Sequence, residues 1–320
     1  MPAEAPPSTN ESAFLLSALR ENIRLDNRPF DAYRPISLSF PQLPDQYGVA
    51  DVRLGKTRVL CNISSEVVAP YADRKFEGLF TINCELSPMG STAFEAGRRR
   101  IGQSNQAIPY LFPVQIKRLH LHGTDQLPLP LSRLLEKTIR RSGALDTESL
   151  CIIAGQKCFH VRADLHVLDH DGNLLDACCV ALVAALLHYR RPDVEVKGEE
   201  VTVFDPRERD PVKLNLHHTP FCVTFSYFDS GEIVLQDANL LEEQCKEGEV
   251  IVGINRFGEV CQIAKYGGAP VEGLEMLKCV SAALERVKML DGLVKEALRK
   301  DDEWRDRGGV MKELRAENER

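Results

Sequence analysis

An α+β fold is predicted for this chain of 320 residues by three observations. Strand-like and helix-like stretches follow one another twice, each time in a strands-then-helix order. The run from Ala177 to Leu187 is apolar on all sides, the mark of a helix buried all round. Short segments of alternating polarity are separated by glycine turns, as antiparallel strands require. A chain of this length can bury a sizeable core and accommodates two domains.

Taken in order, residues 1–29 form a Pro-rich lead and a first helix. Phe14, Leu15, Ala18, Leu19 and Ile23 fall on one helical face, Ser8 or Asn10 can cap the start, and Arg28-Pro29 closes the element. Residues 30–195 form the first domain. Val52 to Leu54 and Thr57 to Ile63 read as a hairpin around Gly55-Lys56, and Leu79 to Leu86 as a further strand. Residues 99–124 are an irregular insertion that fits neither hydrophobic period, and a loop that long inside a domain is uncommon. Leu131 to Ser142 has helical spacing. Leu150 to Ile153 and Lys157 to Leu168 pair around Gly155-Gln156. Leu174 to Tyr189 is the buried helix, stopped by Arg190-Arg191-Pro192.

The charged, Pro-containing run from Glu195 to Pro211 marks the boundary, with 196–216 as linker. The second domain, 217–300, carries strands at Phe221–Phe228, Glu232–Leu235, Val250–Asn255 and Glu259–Ile263. A long amphipathic helix follows Gly267-Gly268 through Leu274, Leu277, Val280, Leu284, Val287, Val294 and Leu298. Residues 301–320 are mostly charged and read as a frayed or solvated tail.

Composition narrows the function. A net charge of -7 and a pI near 5.7 argue against coating nucleic acid by bulk charge, so any such contact needs a local basic patch. The 10 cysteines include no Cys-x-x-Cys pair and sit mostly among apolar neighbours, as small buried hydrophobes in a reducing compartment do. The N-terminus lacks the basic-then-apolar order of a signal peptide, and the longest apolar run is too short to span a bilayer. A soluble intracellular protein is expected.

The most informative stretch is Val161 to Leu187: strand, tight glycine turn, buried helix. Free N–H groups at a helix start attract phosphate, yet this turn is followed by Leu174, Leu175 and Asp176. Two of these offer no donor, and the third would repel an anion. His166 and His170, with Asp164 and Asp169, invite a metal reading. On a strand, however, Arg162, Asp164 and His166 share one face, and a polar sheet face is the favoured explanation. Asp237 and Glu243, after the strand at Ile233–Leu235, could hold magnesium or simply form a polar turn. Arg98-Arg99-Arg100 and the tip Arg74-Lys75 are basic enough to touch backbone phosphates, with a solvated loop as the default.

Several ordered blocks carry a resemblance. They are Arg24-Leu-Asp-Asn-Arg28, Tyr33-Arg34-Pro-Ile36, Leu54-Gly-Lys-Thr-Arg-Val-Leu60, Ala93-Phe-Glu-Ala-Gly-Arg98, Asp146-Thr-Glu-Ser-Leu-Cys151, Asp171-Gly-Asn-Leu-Leu-Asp-Ala177 and Arg190-Arg-Pro-Asp-Val194. Together, over roughly residues 10 to 300, the chain resembles an RNase PH-type core subunit of the eukaryotic RNA exosome. The resemblance implies the RNase PH fold (ribosomal protein S5 domain 2-like), two stacked modules of mixed sheet and helices. Active members are phosphorolytic 3′-to-5′ exoribonucleases that grip phosphate with a Gly-Gly-Thr-Arg turn and an upstream Arg. Here the turn matches Gly172 to Leu175 and the upstream position falls near Leu127. Leu174, Leu175 and Asp176 are thus vestigial phosphate-site positions, and Asp237 and Glu243 vestigial metal-site positions. Each lost charge-assisted contact removes about 1.5–3 kcal/mol, and each lost transition-state donor about 2.7–4 kcal/mol.

The expectation is therefore a non-catalytic ring subunit with no metal and no cofactor. It would scaffold a hexameric ring of RNase PH-like subunits and guide single-stranded RNA through the pore for processing and decay, rRNA maturation and mRNA turnover included. Its implied partners are the other ring subunits, S1/KH cap subunits and a separate hydrolytic nuclease, in nucleus (nucleolus included) and cytoplasm. Arg74, Lys75, Arg98 and Arg99 are the candidate RNA contacts. The alternative is an active phosphate-dependent exoribonuclease using Asp237 and Glu243.

Overall fold

The computed structural model describes residues 7–43, 46–91, 94, 128–198, 200–205 and 208–306. Helix α1 spans Thr9–Arg20. Its cap is reciprocal: the Ser8 hydroxyl accepts the Glu11 N–H while the Glu11 carboxylate accepts the Ser8 N–H. Only part of the expected apolar face is covered. Leu15 and Leu19 pack on Phe228 and Leu235, whereas Phe14 and Ile23 stay exposed.

The first sheet is built from β1 (Ile36–Ser39), β2 (Val49–Leu54), β3 (Thr57–Val68) and β4 (Leu79–Leu86). After α2 (Pro128–Ile139) come β5 (Cys151–Ile153) and β6 (Lys157–Asp169). The order is β1-β2-β3-β6-β4, with β5 also on β6. β4 runs parallel to β6, and the other pairings are antiparallel. Gly55, at φ 60, supplies the left-handed turn of the β2–β3 hairpin. Helix α3 (Leu174–His188) packs against this sheet with every residue but Leu187 buried. The all-apolar run is thus explained: α3 is enclosed by β2 and β3 on one side and by the second sheet on the other.

The stretch expected as a bare linker carries structure. β7 (Arg190–Arg191) pairs with β10 (Val212–Lys213), and β8 (Val194–Lys197) forms a hairpin with β9 (Glu200–Val203) around Gly198. Alternating valines in 194–203 are the period-two signal that the charged composition hid.

The second sheet comprises β11 (Pro220–Phe228), β12 (Ile233–Gln236), β13 (Gly248–Asn255) and β14 (Val260–Gly267), with the short helix α4 (Leu240–Cys245) after β12. Its order is β12-β11-β13-β14, all antiparallel. Helix α5 (Gly273–Asp306) packs on β11 and β13. It runs beyond residue 300, so the expected solvated tail is corrected for 301–306. Asp301 and Arg305 are buried there, because Arg305 donates to Asp301 and to the carbonyls of Leu43 and Gln46, and lies over the Tyr47 ring. His188 completes the cluster. Its Nδ1 accepts the Gly48 N–H, which leaves Nε2 to donate to Asp301.

One hydrophobic cluster joins the first sheet, α2, α3, the second sheet and α5. All ten cysteines are free thiols; burial pushes that of Cys61 up, and hydrogen bonding to Cys84 and to Cys222, together with burial, pushes up those of Cys178 and Cys179. No described helix is long and apolar enough to cross a membrane.

Candidate functional site

β6 ends at Asp169, and the next four residues make the turn that starts α3. Gly172 and Asn173 both adopt positive φ, 83° and 52°. A side chain at Gly172 would collide with the Ala238 carbonyl oxygen, 2.6 Å from where its Cβ would lie. Glycine is needed here because the turn lies directly on the backbone that leads from β12 into α4. The two halves of the chain meet at this seam.

Asp237 sits at its centre, with no exposed surface. Its Oδ1 accepts from Arg34 Nη2 (2.9 Å) and Asn173 Nδ2 (2.8 Å). Its Oδ2 accepts from Arg28 Nη1 (2.9 Å), Arg34 N (2.7 Å) and Arg34 Nε (3.0 Å). A carboxylate offers about four lone-pair sites, so none is left. Burial alone would raise its pKa, but the Arg34 guanidinium outweighs burial and holds it below the usual range. Arg34 spends its remaining N–H groups on the carbonyls of Asp171 and Gly172. Arg24, fully buried, forks onto Glu242 at 2.6 and 3.0 Å and caps the carbonyls of Gln236 and Asp237.

Glu243 closes onto the start of α3. Its Oε2 accepts the Asn173 N–H at 3.3 Å, while Lys246 bonds Oε1 at 3.2 Å. Burial would lower the Lys246 pKa, yet Glu243 and Glu249 together raise it. The turn amides are otherwise satisfied locally: Asp171 N–H by the Thr57 hydroxyl, Gly172 N–H by His170 Nδ1.

The residues after the turn face inward. Leu174 and Leu175 belong to the core. Asp176 was expected to repel an anion from the turn, and that is corrected: it is 2 % exposed and points into the interior. There it accepts from the Tyr33 hydroxyl (2.7 Å), Asn173 Nδ2 (3.0 Å), the Thr224 N–H (3.1 Å) and the Thr224 hydroxyl (2.8 Å). Burial lifts its pKa to about 6 despite these donors. Asp176 therefore pins α3 to β11, one half of the chain to the other. Arg286 lies 3.9 Å from the centroid of the Tyr33 ring, and burial lowers its pKa.

Other candidates do not converge. His166 pairs with Glu85 across β4, Asp164 with Arg162 and Asn83, and His170 stacks on Phe94. The polar face expected for β6 is present. Among the described residues no group of His, Cys, Asp and Glu could hold a metal ion. Arg74 and Lys75 are exposed on a turn tied by its backbone to Gly155, with Arg74 paired to Glu77. Arg98, Arg99, the insertion 99–124 and Leu127 lie outside the described residues.

Sequence reasoning missed the roles of Arg24, Arg28 and Arg34. The signal was there: closely spaced arginines in a segment without helical or strand period, in an acidic chain.

Comparison with known proteins follows the same lines. The chain matches the model of the 3′ exoribonuclease family, domain 1, over residues 32–192, and that of domain 2 over residues 218–286. It is 42% identical over 313 residues to "Exosome complex component rrp45" of Schizosaccharomyces pombe, covering 98% of this chain and 97% of that one. It is 40% identical over 306 residues to "Exosome complex component RRP45" of Homo sapiens, covering 96% of this chain and 63% of the human one. Among solved structures it is similar to a chain of "archaeoglobus fulgidus exosome with RNA bound to the active site", with TM-score 0.69 and 26% identity over 88% of this chain and 97% of that chain.

Proposed function

Because the chain belongs to the 3′ exoribonuclease family, with both of its domains matched, we propose that it is a ring subunit of an RNA exosome that has given up phosphorolysis. The observation that carries this reading is the self-neutralised seam. Asp237 is saturated by Arg28, Arg34 and Asn173, and Glu243 occupies the mouth of the turn. Leu175, at the position where the family's active members offer an Arg, lies inside the core and cannot hold a phosphate, and the Asn173 N–H that could greet one already bonds Glu243. A magnesium ion would have to displace guanidinium groups already paired at short distance. Asp237 and Glu243 therefore serve structure rather than metal-assisted RNA cleavage.

In this reading the chain scaffolds a hexamer of RNase PH-like subunits below S1/KH caps. Single-stranded RNA passes its pore to a separate hydrolytic nuclease, in nucleus and cytoplasm. Arg74 and Lys75 are the described residues offered to that RNA, with Arg98 and Arg99 as further candidates. The acidic chain suits a subunit that needs only a basic lip. The test is affinity capture of the tagged full chain, with mass spectrometry of what comes with it. Stoichiometric recovery of other RNase PH-type subunits is expected. A lone monomer would overturn the proposal.

A further inference from the structure

The second sheet has two edges, and the chain closes only one. β12 is sealed by the N-terminal segment: Gln236 N–H donates to the Phe30 carbonyl, Arg24 caps the carbonyls of Gln236 and Asp237, and α1 lies on Leu235. At the other edge, β14 pairs with β13 on its inner side, and among the described residues no strand pairs with its outer side. Eight residues of extended backbone, Val260–Gly267, thus present a row of outward N–H and C=O groups.

Natural edge strands are kept from pairing by charges, prolines or covering elements. β14 has no proline and, among the described residues, no strand over its outer edge. The irregularity in its pairing is confined to its start, where the register shifts between Gly253 and Ile254. The strand reads Val-Cys-Gln-Ile-Ala-Lys-Tyr-Gly, with one charge, Lys265, whose Nζ is folded back onto the Gly267 carbonyl at 2.8 Å. Its apolar side chains are left outside: Val260, Ile263 and Tyr266 are all more than 40 % exposed, while the neighbouring β13 is almost wholly buried. Leu274 and Leu277, on the first turns of α5, are exposed as well.

We propose that the outer edge of β14 is a docking edge for an extended strand of another polypeptide. That strand adds to the sheet backbone to backbone, its alternate apolar residues against Ile263 on one face and Tyr266 on the other. The unpaired backbone row identifies a strand as the occupant, since a helix or a nucleic acid would leave it unsatisfied. A different chain is favoured over a second copy, because two chains that each carry a net charge of -7 repel. The inference rests on the proposed function in that the partner is another subunit of the assembly.

The test uses the full chain, alone and in its captured complex. Amide hydrogen exchange over 260–267 is expected to be fast in the free chain and slowed at least tenfold in the complex. The double variant I263K/Y266K, changed only at exposed positions, is expected to keep the wild-type melting temperature and to lose co-purifying subunits. Wild-type recovery of partners by this variant, or unchanged exchange on assembly, overturns the inference and leaves the proposed function standing. A wild-type chain that captures no subunit overturns the proposed function instead. A free chain that dimerises through 260–267 replaces the assigned occupant with a second copy and overturns the assignment.

Discussion

Replacing Asp237 with Asn separates a structural ion cluster from a metal site by the sign of a stability change. Asn has nearly the same shape, but its amide cannot balance Arg28 and Arg34, and its NH2 would face donors. Those guanidinium groups lie 2.9–3.0 Å from the carboxylate, and Asp237 itself is wholly buried. Breaking a buried pair on one side costs about 3–5 kcal/mol, since the other charge is left uncompensated. At about 2–4 °C per kcal/mol for domains of this size, melting should fall by roughly 10 °C. The loss should be greatest near neutral pH. Asp237 has a depressed pKa in the folded state, so its stabilisation is present above the unfolded carboxylate range and fades as pH falls through the folded value. Wild type and D237N should therefore converge in acid. Urea unfolding at several pH values measures both features. In a metal site awaiting its ion, carboxylates repel one another and neutralising one stabilises the protein. A D237N variant more stable than wild type would refute the reasoning.

Asp176 should behave in the opposite sense. Its folded pKa is raised to about 6, so its contribution is fully present below the unfolded value and is lost as pH rises through the folded one. D176N should be at least as stable as wild type at pH 7.5, with its advantage shrinking by about 3 kcal/mol toward pH 4; a gap that does not change with pH would contradict this. Gly172→Ala should open the seam, because its Cβ would lie 2.6 Å from the Ala238 carbonyl oxygen at a φ of 83°. A loss well above the roughly 1 kcal/mol of an ordinary Gly-to-Ala strain is expected in urea unfolding, and a neutral result would remove the close approach. Deleting residues 301–320 should cost several kcal/mol rather than nothing. It removes the charge-assisted bonds of Arg305 to Asp301 and to the carbonyls of Leu43 and Gln46, each worth about 1.5–3 kcal/mol; an unchanged urea midpoint would show the end of α5 to be dispensable.

Much of this architecture is legible without coordinates where the information is local. The β2–β3 hairpin follows from Gly55 between alternating residues, and the burial of α3 from a run that is apolar on every side. The turn before α3 was only half legible. That Leu174 and Leu175 carry no donor is plain from their chemistry. That Asp176 turns inward is not, because its partners Tyr33 and Thr224 lie 143 and 48 residues away. The clustering of the seam's arginines was visible, but their partners were not: Arg24 and Arg34 meet Glu242 and Asp237 across more than 200 residues. The charged end of α5 looked like a tail because composition cannot show that Asp301 and Arg305 neutralise each other against His188.

The most direct measurement concerns the seam's chemistry. The purified full chain is incubated with 3′-labelled single-stranded RNA, magnesium and inorganic phosphate, and nucleoside diphosphates are quantified against a no-protein control. No release above that control is expected, with or without magnesium. Phosphate-dependent release that disappears in D237N would mean that the carboxylate cluster is a working active site.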